Sequence, residues 1–138
     1  MSVNFQDCPC SGKNMSNFSA PWILLTLHDH EGIHGYELKK VIKSHMEDLG
    51  ISINITGLYR HLRLMEKRGV LSSEWDTPDN GPAKRQYYLT ESGKECLWRW
   101  MQTLHIQVEL ISRFFEKAKG VFPSSPSLHI QFQSREPI

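Results

Sequence analysis

The segment from Asn54 to Gly69, followed at once by a strand-turn-strand pattern, constrains the fold of this chain most. Leu58, Leu62 and Met65 recur at intervals of four and three, which places them on one face of a helix. Asn54 is a good N-cap, because its side-chain oxygen accepts from the free N–H groups of a first turn. Gly69 can take the left-handed conformation that ends a helix. The opposite face carries Thr56, Tyr59, Arg60, Arg63 and Lys67. On an isolated helix such a face is most often simply solvated; its surroundings in the chain decide otherwise here.

Beyond Gly69 the period changes from helical to alternating. Val70–Trp75 and Arg85–Leu89 read as strands, and Asp76–Lys84 between them holds Asn80-Gly81 and two prolines, which are strong turn formers. The pair predicts a β-hairpin with Lys84 and Arg85 at the exit of its tip.

Upstream, Ser19 caps a short helix with Pro21 tolerated in its first turn. Trp22, Ile23, Leu24, Leu25 and Leu27 make it apolar nearly all round, so it must be buried on more than one side, and a second subunit is one way to achieve that. His28–Gly32 reads as a polar turn. A second helix is predicted over about Gly35–Leu49, with Leu38, Val41, Ile42, His45 or Met46, and Leu49 at its apolar positions, Lys39, Lys40 and Lys43 outward, and Gly50 as its stop. Ile51–Ile53 reads as extended.

The predicted order is helix, helix, helix, hairpin, with the cationic face on the helix before the hairpin. That is the layout of a winged helix-turn-helix, whose third helix enters the major groove of DNA. Arginine can bond guanine edges bidentately there, and lysines and hydroxyls fix register on phosphates. From Ile55 to Thr90 six cations face four anions, a local net charge of +2, although the whole chain is only +1. The expected DNA-contacting residues are Asn54, Thr56, Gly57, Tyr59, Arg60, Arg63, Lys67, Lys84 and Arg85, and the expected partner is a double-stranded, palindromic operator. A protein-interaction module without DNA binding uses the same scaffold and is the competing expectation.

The last long element begins near Thr90, with Thr90 or Ser92 as its cap and Ser92 and Glu95 spaced as a capping box. Leu97, Met101, Leu104, Val108, Ile111, Phe115 and Ala118 then recur at alternating intervals of four and three, a heptad seam. A single wing domain offers no obvious partner for so long a seam, and packing back on its own domain is the competing expectation. The expected partner is a second copy, through Leu97, Met101, Leu104, Val108, Ile111 and Phe115 together with Trp22 and Leu25 of the first helix. A homodimer also matches palindromic DNA. The fold class is therefore mainly α with a small β-hairpin (α+β): an arm over 1–18, a winged helix-turn-helix over 19–90, a dimerisation helix over 91–119 and a tail over 120–138.

At 138 residues and 39% hydrophobic the chain is sized for one ordinary domain. No run is apolar enough to span a bilayer, the first residues lack a signal-peptide core, and three cysteines argue against a disulfide scaffold, so the expected location is cytoplasmic. No phosphate-cradling glycine loop, nucleophile-base motif or paired-carboxylate pattern points to an enzyme.

Cys8-Pro9-Cys10 is the unusual feature of the arm. Thiolates this close can bind a soft metal or be oxidised, and with Cys96, His28 and His30 they are candidates for a metal site, a redox sensor or a haem held by a Cys-Pro thiolate. The spacing lacks the paired CxxC of a zinc signature, and two free thiols in an irregular arm are the plainer explanation.

These residues resemble the PadR family of transcriptional regulators. The resemblance rests on His34-Gly-Tyr-Glu-Leu38, on Gly57-Leu-Tyr59 with Leu62, Met65 and Glu66, on Gly69-Val-Leu71 leading to Trp75, and on Gly81-Pro-Ala-Lys-Arg85 with Tyr87, Leu89, Thr90 and Gly93; it covers about Pro21–Leu97. It implies a dimeric repressor, built on the first and last helices, whose DNA affinity falls when a small-molecule or metal effector or a modified state appears. It makes Tyr59 the family's recognition-helix tyrosine near phosphate, Lys84 and Arg85 the basic wing, and Gly93 a point of close approach. The family usually has proline after that tyrosine, where this chain has Arg60, so base preferences do not transfer. Drug-sensing relatives carry a tryptophan in the last helix where this chain has Leu104; Trp98 and Trp100 lie earlier and are expected to pack.

Overall fold

The computed structural model describes residues 19–50 and 55–122, and the side chains from residue 57 onward in the second stretch. Cys8, Cys10, Asn54, the Ile51–Ile53 run, the side chain of Thr56 and the tail after residue 122 lie outside what is described.

The elements run α1 (Ser19–Asp29), β1 (Ile33–His34), α2 (Gly35–Met46), a 3-10 turn (Glu47–Leu49), α3 (Ile55–Lys67), β2 (Leu71–Asp76), β3 (Lys84–Leu89) and α4 (Glu91–Ala118). The sheet has three antiparallel strands in the order β1-β3-β2. The hairpin register runs from Leu71 opposite Leu89 to Asp76 opposite Lys84. β1 has no signature in the sequence: two residues are too few for an alternating pattern, and pairing of Ile33 with Tyr87 and His34 with Gln86 makes them a strand.

The core lies where α1, α2 and α3 meet the sheet. Ile23, Leu24 and Leu27 of α1, Leu38 and Ile42 of α2, and Leu58 and Leu62 of α3 are sealed from solvent. Each set follows the helical spacing of its own element, which is why three short helices of modest intrinsic stability hold together. Leu97 and Trp100 pack on the rim of this core, whereas Trp98 is exposed.

Two ends explain how α3 is aimed. Gly69 adopts φ +82°, its N–H bonds to the Glu66 carbonyl at 3.0 Å, and the Val70 N–H bonds to the Met65 carbonyl at 3.1 Å. This pair of bonds is a Schellman motif, and it turns the chain sharply from α3 into β2. The Thr90 hydroxyl then donates to the Gly69 carbonyl at 2.6 Å and accepts from the Gly93 N–H at 3.0 Å. One side chain thus caps α4 and ties it to the end of α3. Thr90, not Ser92, is the N-cap, and Glu95 pairs with Arg99 at 3.0 Å instead of closing a capping box. Thr90→Ala removes both bonds and is expected to cost about 2 kcal/mol in urea denaturation, with Thr90→Ser recovering most of it. An unchanged midpoint in the alanine variant would contradict this role.

α4 is a 28-residue helix, and the boundary between the chain's two compact units falls within it, after Met101. Met101 is 58% exposed and Ile111 47% exposed, while Leu104, Val108 and Phe115 are half-buried. A second stripe, Ile106, Leu110 and Phe114, is about two-thirds exposed at spacings of four. The heptad reading found the seam but not this stripe, which widens the apolar face of the helix.

Candidate nucleic-acid interface

The amphipathic pattern of α3 determines what its other side presents. With Leu58, Leu62 and Met65 buried, Arg60, Arg63, Lys67 and Arg68 are exposed, and Tyr59 is 41% exposed. Among the described residues, no carboxylate lies within ion-pair distance of Arg60, Arg63, Lys67, Lys84 or Arg85. Glu66, the anion on α3, accepts instead from the Ser73 hydroxyl of β2. The cations of this face are therefore uncommitted, and an outside anion meets no internal competitor.

The wing brings its own charge close by. Lys84 and Arg85 begin β3, and the Arg85 guanidinium lies 5.1 Å from the centre of the exposed Trp75 ring, so the hairpin pairs an aromatic and a cation across its two strands. A cavity of ≈260 Å³ is lined by Lys84, Arg85 and Tyr87 of β3, by Tyr59 of α3 and by His34, Gly35 and Tyr36 where α2 begins. Tyr59 packs so closely on Gly35 that a Cβ there would stand 2.9 Å from its ring. Burial pushes the Tyr87 phenol above its ordinary value, with the nearby Arg85 charge pulling the other way, so Tyr87 stays protonated. His34 Nε2 lies 3.2 Å from the Asp76 carboxylate at the end of β2.

α2 presents a further basic stripe on its outer side. Lys39 and Lys40 lie over the Tyr36 ring, at 5.6 and 4.4 Å from its centre. Lys43 continues the same face one turn later. The spacing of Tyr36, Lys39, Lys40 and Lys43 was the available signal.

Of the proposed sensor residues, His28 is exposed beside Asp29 at 3.1 Å, His30 is exposed, and Cys96 is a free thiol packed against the core. The described residues bring no three metal-ligating side chains together. Cys8 and Cys10 lie outside them.

Comparison with known proteins agrees with this architecture. Residues 23–99 match the family described as the transcriptional regulator PadR-like family. A PadR family transcriptional regulator from Eggerthella lenta is similar at 26% identity and a TM-score of 0.60, covering 80% of this chain and 96% of that one. A transcriptional regulator from Clostridium thermocellum shares the fold at 22% identity and a TM-score of 0.64, over 72% of this chain and 92% of that one. A PadR-like transcriptional regulator from Bacillus cereus does so at 20% identity and 0.61, over 73% and 94%. The search of curated proteins found no match. With more than half of its length matched and the wing, the helical order and the long last helix all in place, the chain belongs to the PadR-like family of transcriptional regulators.

Proposed function

We propose that this chain is a homodimeric, sequence-specific DNA-binding regulator that acts as a repressor in the cytoplasm and is released from a palindromic operator by a small-molecule or metal effector. Members of its family are transcriptional regulators and not enzymes. The observation that carries the reading is the exposed row Arg60, Arg63 and Lys67 on α3, a helix whose Tyr59 lines one cavity with Lys84 and Arg85 of the wing. A helix of this width fits the major groove, and its arginines have the fork geometry that guanine edges require.

The dimer is supported by the apolar face of α4. Exposed apolar side chains at Met101 and Ile111 along the seam, and at Ile106, Leu110 and Phe114 along the second stripe, are greasy surface that a second copy would cover. Leu25 of α1 is 40% exposed and Trp22 half-buried against His45, so α1 also has apolar surface to contribute. Among the described residues no helix is long and apolar enough to cross a membrane, so these faces are not spans.

The reading is tested by titrating salt against binding of the purified protein to duplexes enriched from genomic fragments. Each phosphate neutralised contributes a slope of about 0.9 in log affinity against log salt, so about six to ten contacts predict a loss of roughly 10³- to 10⁵-fold between about 50 and 200 mM salt. Failure to enrich any duplex, or affinity indifferent to salt, would favour the protein-interaction module.

A further inference from the structure

Ile106, Leu110 and Phe114 stand four residues apart on α4 and are 68%, 68% and 67% exposed. At about 100° per residue their row lies roughly a third of a turn from the seam of Leu104, Val108, Ile111 and Phe115. A helix seated along the seam therefore leaves this row in water. Three large apolar side chains in one exposed line are a contact surface awaiting an occupant. The row and all of the chain after it belong to the second compact unit, Gln102–Ile138.

The sequence holds a strip of matching pitch. Leu128-His-Ile-Gln-Phe132, outside the described residues, alternates apolar and polar. In an extended chain, side chains two apart share a face at about 6.6–6.8 Å. Side chains four apart on a helix are separated by about 6.0 Å of rise. Run antiparallel to α4, Leu128, Ile130 and Phe132 thus fall opposite Phe114, Leu110 and Ile106, with His129 and Gln131 turned to solvent. The reach is sufficient. Val121 and Phe122 both donate their N–H groups to the Ala118 carbonyl, at 2.9 and 3.0 Å, so the chain still coils at the end of α4. At most about 12 Å of helical rise separates Phe122 from Phe114. The linker 123–127 lets Leu128 stand up to about 20 Å from Phe122, and Pro123 and Pro126 oppose continuation of the helix.

We propose that Leu128–Phe132 docks on Ile106, Leu110 and Phe114 of its own α4, and so competes with a second copy for that part of the dimer surface. The docking stands without the dimer reading; the competition rests on it. A short linker presents the tail at an effective concentration on the order of millimolar. The tail therefore holds the row in a dilute single copy and yields it as copies accumulate.

The test uses full-length chains carrying Cys8→Ser, Cys10→Ser and Cys96→Ser. To these is added either Leu110→Cys with Ile130→Cys, or Ser112→Cys with Ile130→Cys. Ser112 is exposed near the same height of α4 but on its opposite side, so the second pair has the same tether and the wrong face. Under mild oxidation at high dilution, the first pair is expected to close a disulfide within one chain at least about tenfold faster than the second, because only it brings the two Cβ atoms into bonding range. Equal rates overturn the docking. Disulfides that form between copies instead overturn it too, and give the row to a second copy. In the otherwise native chain, Ile130→Glu is expected to lower the dimer dissociation constant at least about tenfold by freeing the row, and Ile130→Val to leave it unchanged. An unchanged constant in Ile130→Glu overturns the competition. Fast closure in a chain that sediments as a monomer at every concentration supports the docking and removes the dimer reading.

Discussion

Gly93→Ala is expected to destabilise the fold by about 2–4 kcal/mol and to lower the melting temperature by roughly 10 °C or more. A Cβ at Gly93 would stand 2.0 Å from the Val70 carbonyl oxygen and 2.5 Å from Leu89 Cδ1. The carbonyl cannot yield as a side chain would, because it accepts from the Thr90 N–H at 3.4 Å at the junction between α3 and α4. Alanine ordinarily gains up to about 1 kcal/mol over glycine inside a helix, so two effects of opposite sign meet here. The overlap wins, since relieving it means moving the start of α4 away from the sheet. Gly57→Ala is the control: nothing lies within 4 Å of a Cβ there, and its effect on the melting temperature should be nil or slightly upward. Equal melting temperatures for the two variants would contradict the close approach at Gly93.

Met101→Glu combined with Val108→Glu should convert the proposed dimer into monomers, raising its dissociation constant by at least about a thousandfold, near 4 kcal/mol. Met101 is 58% exposed in the single chain, so a glutamate there costs the fold of one copy little. In a dimer built on the α4 seam the same carboxylates are buried without partners, two from each copy. The effect therefore reads assembly and not folding. Sedimentation at micromolar concentration distinguishes the outcomes. A double variant that still sediments as a dimer would move the interface to the Ile106, Leu110 and Phe114 stripe or to α1.

Much of this architecture is legible in the chain. Leu58, Leu62 and Met65 show the inward face of α3 through their spacing alone, and Gly69 stops that helix as its position predicts. The hairpin is legible because Asn80-Gly81 interrupts two alternating runs, although β2 ends one residue later than Trp75 and β3 begins one residue earlier than Arg85. β1 is not legible, because Ile33 and His34 become a strand only by meeting Tyr87 and Gln86, more than fifty positions away. The cap of α4 is ambiguous in sequence for a similar reason. Thr90 prevails over Ser92 because Thr90 can also reach the Gly69 carbonyl, a tertiary contact that no local pattern contains. The site shows the same division. The exposed cations of α3 follow from periodicity, whereas the cavity lined by Tyr59, Lys84 and Arg85 depends on where Gly35 lets Tyr59 lie.

In the proposed regulator the arginine-bearing face of α3 reads base edges. Duplexes selected from a random pool with the wild-type protein and with Arg63→Ala, followed by affinities for the wild-type consensus at one fixed salt concentration, address this contact itself. Arg63→Ala is expected to lose about 1–3 kcal/mol, with preference relaxed at the same base position in both half-sites of a palindrome. An Arg63→Ala protein that selects the same consensus and binds it as tightly as the wild type would contradict groove entry by this face.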